Sequence, residues 1–295
     1  MRKIKIAILS DIHGNIVALE SVIKELASQN IDYYLIAGDN ITDFPFSNEV
    51  IAMVQNLTPY VIKGNREKYI LEYLKNPKLD KWNTKQQEPI KFIGDNLNIR
   101  SIKYIKNLPE SLTLNLEELK IKLLHGFPND LSEEIYLNDT KKLDEISKNL
   151  KENILIFGHT HEPAGYKLIN NKLLINAGTL GTRYGKKGAE YIVFTYENGK
   201  MNVEIKEVKY DLDKLKEKIS ETNILRVCPT WINLSYSTLN SEIDINFEFV
   251  KEAKKLMEDK TTILPNAQGV YKDFKVIDDE IWDYLSKKYS KYFLL

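Results

Sequence analysis

Residues 4–15 read Ile-Lys-Ile-Ala-Ile-Leu-Ser-Asp-Ile-His-Gly-Asn. Ile4, Ile6, Ile8 and Leu9 make a short β-branched strand that ends at Ser10-Asp11. Gly14-Asn15 then opens a helix, whose apolar positions Ile16, Leu19, Val22, Ile23 and Leu26 repeat at helical spacing. The unit recurs twice. Residues 33–37 read as a buried strand stopped by Gly38-Asp39, followed by a helix that Ser47 can N-cap and that runs through Asn56. Residues 60–63 read as a third strand, stopped by Gly64-Asn65, with a helix over 66–75. Such alternation is the signature of βαβ units and a mostly parallel sheet.

Farther along, the pattern changes. Residues 76–110 read as helical and connecting, punctuated by Pro77, Pro89 and Pro109. Residues 111–116 and 120–124 read as a hairpin, and 154–157 as an apolar strand ending in Gly158. Residues 166–169 and 172–175 flank Asn170-Asn171, and 191–196 and 201–208 flank Asn198-Gly199, a strong hairpin signal. The second half of the core is therefore expected to be antiparallel or mixed. After Tyr210 the texture becomes helical, with helices expected over 211–221, 244–259 and 278–289. We divide the chain into a core, 1–210, and an extension, 211–295, that could form a lid or a dimer surface.

Composition narrows the function. The 295 residues hold 42 Lys+Arg against 42 Asp+Glu, a net charge of zero, which argues against a broad nucleic-acid binder. The lone Cys228 excludes an internal disulfide framework and a thiolate-rich zinc site, and it fits a reducing compartment. The basic start, Met1 to Lys5, leads into an apolar stretch too short for a signal peptide. No apolar run approaches the ~18 residues that a membrane span needs. A cytoplasmic protein is expected.

The rarest residues are the most informative. The four histidines, His13, His125, His159 and His161, all fall at or just after the C-terminal end of an expected strand. So do Asp11, Asp39 and Asn65. Strand C-termini are where open α/β sheets bind ligands. Imidazole, carboxylate and amide oxygen suit Mn, Fe or Zn, with no thiolate competing. Seven donors exceed what one catalytic ion with an open position can use, whereas two ions sharing a bridging carboxylate would use them all.

In chain order, the pieces Asp11-Ile12-His13, Gly38-Asp39, Gly64-Asn65, His125 and Gly158-His159-Thr160-His161 resemble the calcineurin-like metallophosphoesterase pattern. Asn176-Ala177-Gly178-Thr179 resembles the N-x-G-[ST] segment of the compact bacterial and archaeal phosphodiesterase branch. The resemblance implies an α/β fold, a four-layer α/β/β/α sandwich of two mixed sheets, here with a mainly helical C-terminal extension. It implies two divalent ions, Mn first, with Fe, Zn, Ni or Mg as alternatives. Asp11, His13 and His161 would hold one ion; Asn65, His125 and His159 would hold the other; Asp39 would bridge. A hydroxide between the ions would attack phosphorus in line. The implied substrate is a nucleotide-like or other small phosphate ester, with no membrane partner and with self-association left open. The alternatives are a phosphomonoesterase or protein phosphatase, and a non-catalytic module on the same fold.

One departure stands out. Many members read G-N-H-[DE], where this chain has Gly64-Asn65-Arg66-Glu67. Arginine stays charged and is a poor general acid, yet its planar fork suits a phosphate. Arg66 is therefore expected to clamp the phosphoryl group, favouring substrates with stable leaving groups. Only five arginines occur, and another, Arg183, follows the Asn176–Thr179 segment; with Tyr184 it is a second candidate for substrate contact. Asn15 and Asn40 flank the expected ligands and could bond substrate or cap the backbone.

Overall fold

The computed structural model describes residues 3–127, 130, 131, 133–185, 188–263 and 276–295, and of 259–263 the backbone only. Met1 and Arg2 of the basic N-terminus lie outside the described residues. Strand β1 (Ile4–Leu9) leads into helix α1 (Ile16–Leu26), and β2 (Tyr33–Ile36) into α2 (Ser47–Leu57). The next helices are α3 (Asn65–Lys75), α4 (Glu88–Asn96) and α5 (Ile99–Asn107). A hairpin follows, β3 (Ser111–Leu116) and β4 (Leu119–Leu124), then α6 (Thr140–Asn149) and β5 (Ile154–Phe157). Two more hairpins are β6 (Gly165–Ile169) with β7 (Lys172–Asn176) and β8 (Ala189–Glu197) with β9 (Lys200–Val208). Their turns use positive φ at both central residues, 50° and 59° at Asn170-Asn171 and 51° and 77° at Asn198-Gly199. This is the geometry that matches strand twist.

The strands form two mixed sheets. One has the order β2-β1-β8-β9, with only β1 and β2 parallel; the other has the order β3-β4-β5-β7-β6, with β4, β5 and β7 parallel. Alternation along the strands assigns the faces. Ile4, Ile6, Ile8, Ile192 and Phe194 of the first sheet meet Ile121, Ile154, Ile156, Leu173 and Ile175 of the second. On the outer side, Ala7, Leu9, Tyr191 and Val193 pack against α1 and α2. Leu155, Phe157 and Leu174 pack against Leu143 and Ile146 of α6. The result is the expected α/β/β/α sandwich.

Two local expectations need correction. Residues 60–63 are not a full strand, because only Val61 bridges β2, at Ile36. The amide of Lys63 turns away to the Pro109 carbonyl at 2.8 Å, which ends the ladder. The Ser47 side chain does not cap α2; Phe46 is the N-cap, and Ser47 Oγ instead accepts from the Thr42 amide at 3.3 Å.

Past β9 come α7 (Leu212–Ser220), α8 (Ile224–Val227), α9 (Pro229–Leu239), α10 (Ile245–Ile263) and α11 (Asp279–Tyr289). Leu215, Ile219, Ile232 and Tyr236 of α7 and α9 join the core that holds α1 and α2. Leu234, Phe249, Ile281 and Trp282 build a separate cluster among α9, α10 and α11. Among the described residues no helix is long and apolar enough to cross a membrane.

Candidate metal centre

The loops after β1, β2, β4 and β5 meet at one end of the sandwich. The first two are zipped by backbone bonds from Asp11 N to Gly38 O (3.1 Å), His13 N to Asp39 O (2.9 Å) and Gly14 N to Asn40 O (2.9 Å). Asp11, His13, Asp39, His159 and His161 all have positive φ, between 51° and 75°. That backbone is uncommon for residues with a β-carbon and persists where surroundings impose it, often at functional sites. It turns side chains two apart in sequence toward the same point. Two glycines are required by contact. A Cβ on Gly38 (φ +92°) would meet Gly64 N at 2.6 Å, and one on Gly158 would meet Ser10 Oγ at 2.1 Å.

Six side chains form two sets, Asp11 with His13 and His161, and Asp39 with His125 and His159; within each set the donor atoms lie within 4.8 Å of one another. In the first, the Nε2 atoms of His13 and His161 are 2.8 Å apart, and Asp11 Oδ1 lies 3.5 and 3.2 Å from them. The two oxygens of Asp11 differ. Oδ2 accepts from Ser10 Oγ at 2.6 Å and from the His159 amide at 3.1 Å, whereas Oδ1 is buried with no hydrogen-bond donor. A buried carboxylate oxygen without a donor is costly, and the chemistry that satisfies it here, beside two imidazole nitrogens, is a cation. In the second set, Asn65 Oδ1 sits 2.9 Å from His125 Nε2. Asp39 Oδ2 reaches toward both sets, 3.4 Å from His125 Nε2 and 3.8 Å from His13 Nε2. The donor types and their convergence fit two divalent ions.

The electrostatics agree. Burial works against charge on all these groups, but their mutual attraction overrides it. Asp43, Asp11 and Asp39 raise His13 to about 10, and Asp39 and Asp11 raise His125 to about 9. In turn His125 and His13 hold Asp39 down at about 2, and His13 and His161 hold Asp11 well below the usual carboxylate range. Such a field concentrates positive charge at the donor sets.

A second layer orients the first. His125 Nδ1 lies 2.7 Å from the Ala37 carbonyl, His161 Nδ1 3.2 Å from Thr182 Oγ1, and His13 Nδ1 2.9 Å from Asp43 Oδ2. The last contact is close but poorly aligned, an ion-pair contact more than a linear hydrogen bond. With Nδ1 so engaged, each ring presents Nε2 inward. Buried Glu67 accepts from the amides of Asp39, Asn40 and Gly64, at 3.2, 2.8 and 2.7 Å, and from Asn40 Nδ2 at 3.1 Å.

Arg66 begins α3 beside the site. Its amide donates to Asp39 Oδ1 at 2.8 Å, and its side chain, 24 % exposed, stands 4.0 Å from Asp39 Oδ2 and 3.8 Å from Asp43 Oδ1. Burial opposes its charge, but Asp43 and Asp39 raise its pKa further. Of the other expected substrate contacts, both asparagines are bonded within the protein. Asn15 is buried, caps α1 through the Ala18 amide (3.1 Å), and donates to Gly181 O (2.9 Å) and Tyr210 Oη (3.1 Å). Asn40 is buried against Glu67. Arg183 is turned inward, 4 % exposed, with Nε 3.8 Å from Glu190 Oε1 and its guanidinium over the Tyr184 ring. Sequence reasoning passed over Asp43, Glu67, Thr182 and Trp231, whose Nε1 donates to Asp43 Oδ1 at 2.9 Å. The only signal for Asp43 was its place four residues after Asp39; for Trp231 there was none.

The sequence pattern of the calcineurin-like phosphoesterase superfamily domain matches residues 4–199. An uncharacterized protein of Methanocaldococcus jannaschii is 27 % identical over 248 residues, covering 79 % of this chain and 97 % of that protein. The fold is similar to that of a metallophosphoesterase from Sphaerobacter thermophilus, with TM-score 0.65, 19 % identity, and coverage of 82 % of this chain and 100 % of that one. It is also similar to a hypothetical protein from Pyrococcus horikoshii, with TM-score 0.65, 20 % identity, and coverage of 79 % and 98 %.

Proposed function

The chain belongs to the calcineurin-like phosphoesterase superfamily, a metal-dependent family of phosphate-ester hydrolases, and on that premise we propose that it is a dinuclear phosphodiesterase of nucleotide-like or other small phosphate esters. The observation that supports this most is the bare Oδ1 of Asp11 between two imidazole nitrogens, with Asp39 Oδ2 reaching toward both donor sets. Asp11, His13 and His161 would hold one ion, Asn65, His125 and His159 the other, with Asp39 within reach of both donor sets. Manganese is the first choice that the family resemblance implies, and the nitrogen and oxygen donors suit iron or zinc as well. When bound, such ions supply an acidified water and neutralise phosphoryl charge.

The protein's own groups do the rest. Arg66 sits at the rim with a partly exposed guanidinium, held in place by Asp39 and Asp43. It binds a nonbridging phosphoryl oxygen and keeps its charge throughout turnover. It does not protonate the leaving group, so aryl, nucleotide and pyrophosphate leaving groups are preferred over alkoxides. The free, buried Cys228 suits a cytoplasmic setting.

The test is metal analysis of the purified chain, followed by turnover of an aryl phosphodiester and the matching monoester with Mn2+ and other divalent ions. Mn2+-dependent preference for the diester is expected. Preference for the monoester would replace this reading with a phosphomonoesterase; a folded chain that takes up no metal and turns over neither ester would leave a binding module.

A further inference from the structure

Asp43 touches three groups at once. Its Oδ2 is 2.9 Å from His13 Nδ1, and its Oδ1 is 3.8 Å from Arg66 Nη2 and accepts from Trp231 Nε1 at 2.9 Å. It is 3 % exposed, so each partner counts. The backbone that presents it has φ of 78° at Thr42 and 54° at Asp43. For a β-branched residue such as Thr42 this is an outlier, and outliers persist only when surroundings impose them. Trp231 lies 188 residues away, on α9 of the helical extension. Its ring stacks on Trp282, with centroids 6.3 Å apart and planes at 22°. Trp282 in turn packs edge-on against Phe249 at 4.9 Å. The indole N–H that reaches Asp43 is thus carried by an aromatic stack built from α9, α10 and α11.

We infer that Trp231 is a positioning residue for the metal centre: it fixes Asp43, and Asp43 in turn sets the His13 imidazole and the Arg66 guanidinium. The extension is then a structural part of the site. This rests on the metal reading given above. Carboxylates behind a ligating histidine typically change metal affinity about 10–100-fold when removed, because they lock the ring orientation.

The test is calorimetric titration of Mn2+ into the full chain after chelator stripping, for wild type, Trp231→Phe, Asp43→Asn, their double variant and Trp282→Phe. Trp231→Phe keeps the ring and removes the N–H. Wild type should take up two ions. Asp43→Asn should weaken one of them about 10–100-fold, and Trp231→Phe should weaken the same one about tenfold. If Trp231 acts through Asp43, the double variant binds no more weakly than Asp43→Asn alone. Trp282→Phe, which loosens the stack but leaves the Trp231 N–H in place, should weaken that ion less than Trp231→Phe does. Wild-type affinity in Trp231→Phe, equal weakening by Trp282→Phe, or additive losses in the double variant would each overturn the inference. Should Trp231→Phe fail to fold, Asp43→Asn carries the test, and unchanged affinity there overturns it equally. A wild-type chain that takes up no Mn2+ would sink the metal reading itself, and the first titration tells that failure apart.

Discussion

Replacing Asp11 by asparagine separates folding from ligation at the heart of the site. The amide oxygen can take the place of Oδ2 and keep both of its bonds, from Ser10 Oγ at 2.6 Å and the His159 amide at 3.1 Å. Each loses its charge assistance, which costs about 1 kcal/mol per bond. In addition, the amide NH2 falls where Oδ1 was, facing the Nε2 atoms of His13 and His161, and in the metal-free chain the raised His13 imidazole keeps its proton, so donor meets donor. A buried donor left without an acceptor costs about 1–3 kcal/mol. The two effects add to about 3–5 kcal/mol, or about 6–20 °C in Tm at roughly 2–4 °C per kcal/mol for a chain somewhat shorter than this one. Metal response reads ligation separately. An ion at a hundredfold excess over its Kd stabilises a protein by about 2.7 kcal/mol per site. Thermal unfolding of chelator-treated protein, with and without Mn2+, should therefore show a shift of several degrees for each filled site in wild type. Asp11→Asn should lose the shift that belongs to its site, since an amide nitrogen is no ligand. A variant that keeps the full Mn2+ shift would refute the assignment of Asp11. A stripped variant as stable as stripped wild type would refute the clash of donors and the lost charge assistance.

Other outcomes follow from the same geometry. Arg66→Ala should lower kcat on an aryl phosphodiester about 100-fold, the usual cost of one lost transition-state donor, while Mn2+ affinity holds; unchanged steady-state kinetics would end the clamp role. Glu67→Gln leaves two of four donors facing an NH2 group, so it should destabilise the chain by roughly 3–6 kcal/mol and lower its thermal midpoint accordingly. A loss under ~1 kcal/mol would show that these bonds matter little. Burial pushes the Cys228 thiol up to about 12, so its thiolate is scarce at pH 8 and alkylation by iodoacetamide, followed by mass, should require denaturant. Fast labelling of native protein would contradict that burial.

Much of this molecule is written locally. The alternation of Ile4, Ile6 and Ile8 against Ala7 and Leu9 matches the two faces of β1, and the Asn170-Asn171 and Asn198-Gly199 turns announce their positive φ. The donor sets were equally legible, because each histidine and aspartate candidate lies at or just after a strand end and strand ends converge. What stayed hidden depends on partners far along the chain. Residues 60–63 have strand composition, but Lys63 gives its amide to Pro109, which no window around 60 contains. Helix α9 is buried from Ile232 through Leu239, including Asn233, Ser235, Ser237 and Thr238, so it has no polar face and hence no period to read. Asn15 could be read as a cap or a substrate contact; it caps α1, and its amide also braces Gly181 and Tyr210, 166 and 195 residues distant, partners that no local window contains.

The division has a physical reason. First-layer donors must meet a cation, so their chemistry narrows them to a few residue types that stand out in composition. The groups behind them need only offer a hydrogen bond or a charge to a ring nitrogen, and this chain draws them from a carbonyl at Ala37, a hydroxyl at Thr182 and a carboxylate at Asp43. Three unlike groups doing one task leave no common pattern in sequence. The carboxylate differs from the other two in carrying charge into an already acidic centre, so it alone needs a counterweight. Arg66 and the Trp231 N–H supply it, one from the core and one from the extension. A carboxylate this buried would otherwise carry the full penalty of charge in a low-dielectric interior, which His13 also helps to offset. The rim arginine and the helical extension therefore answer the same electrostatic need.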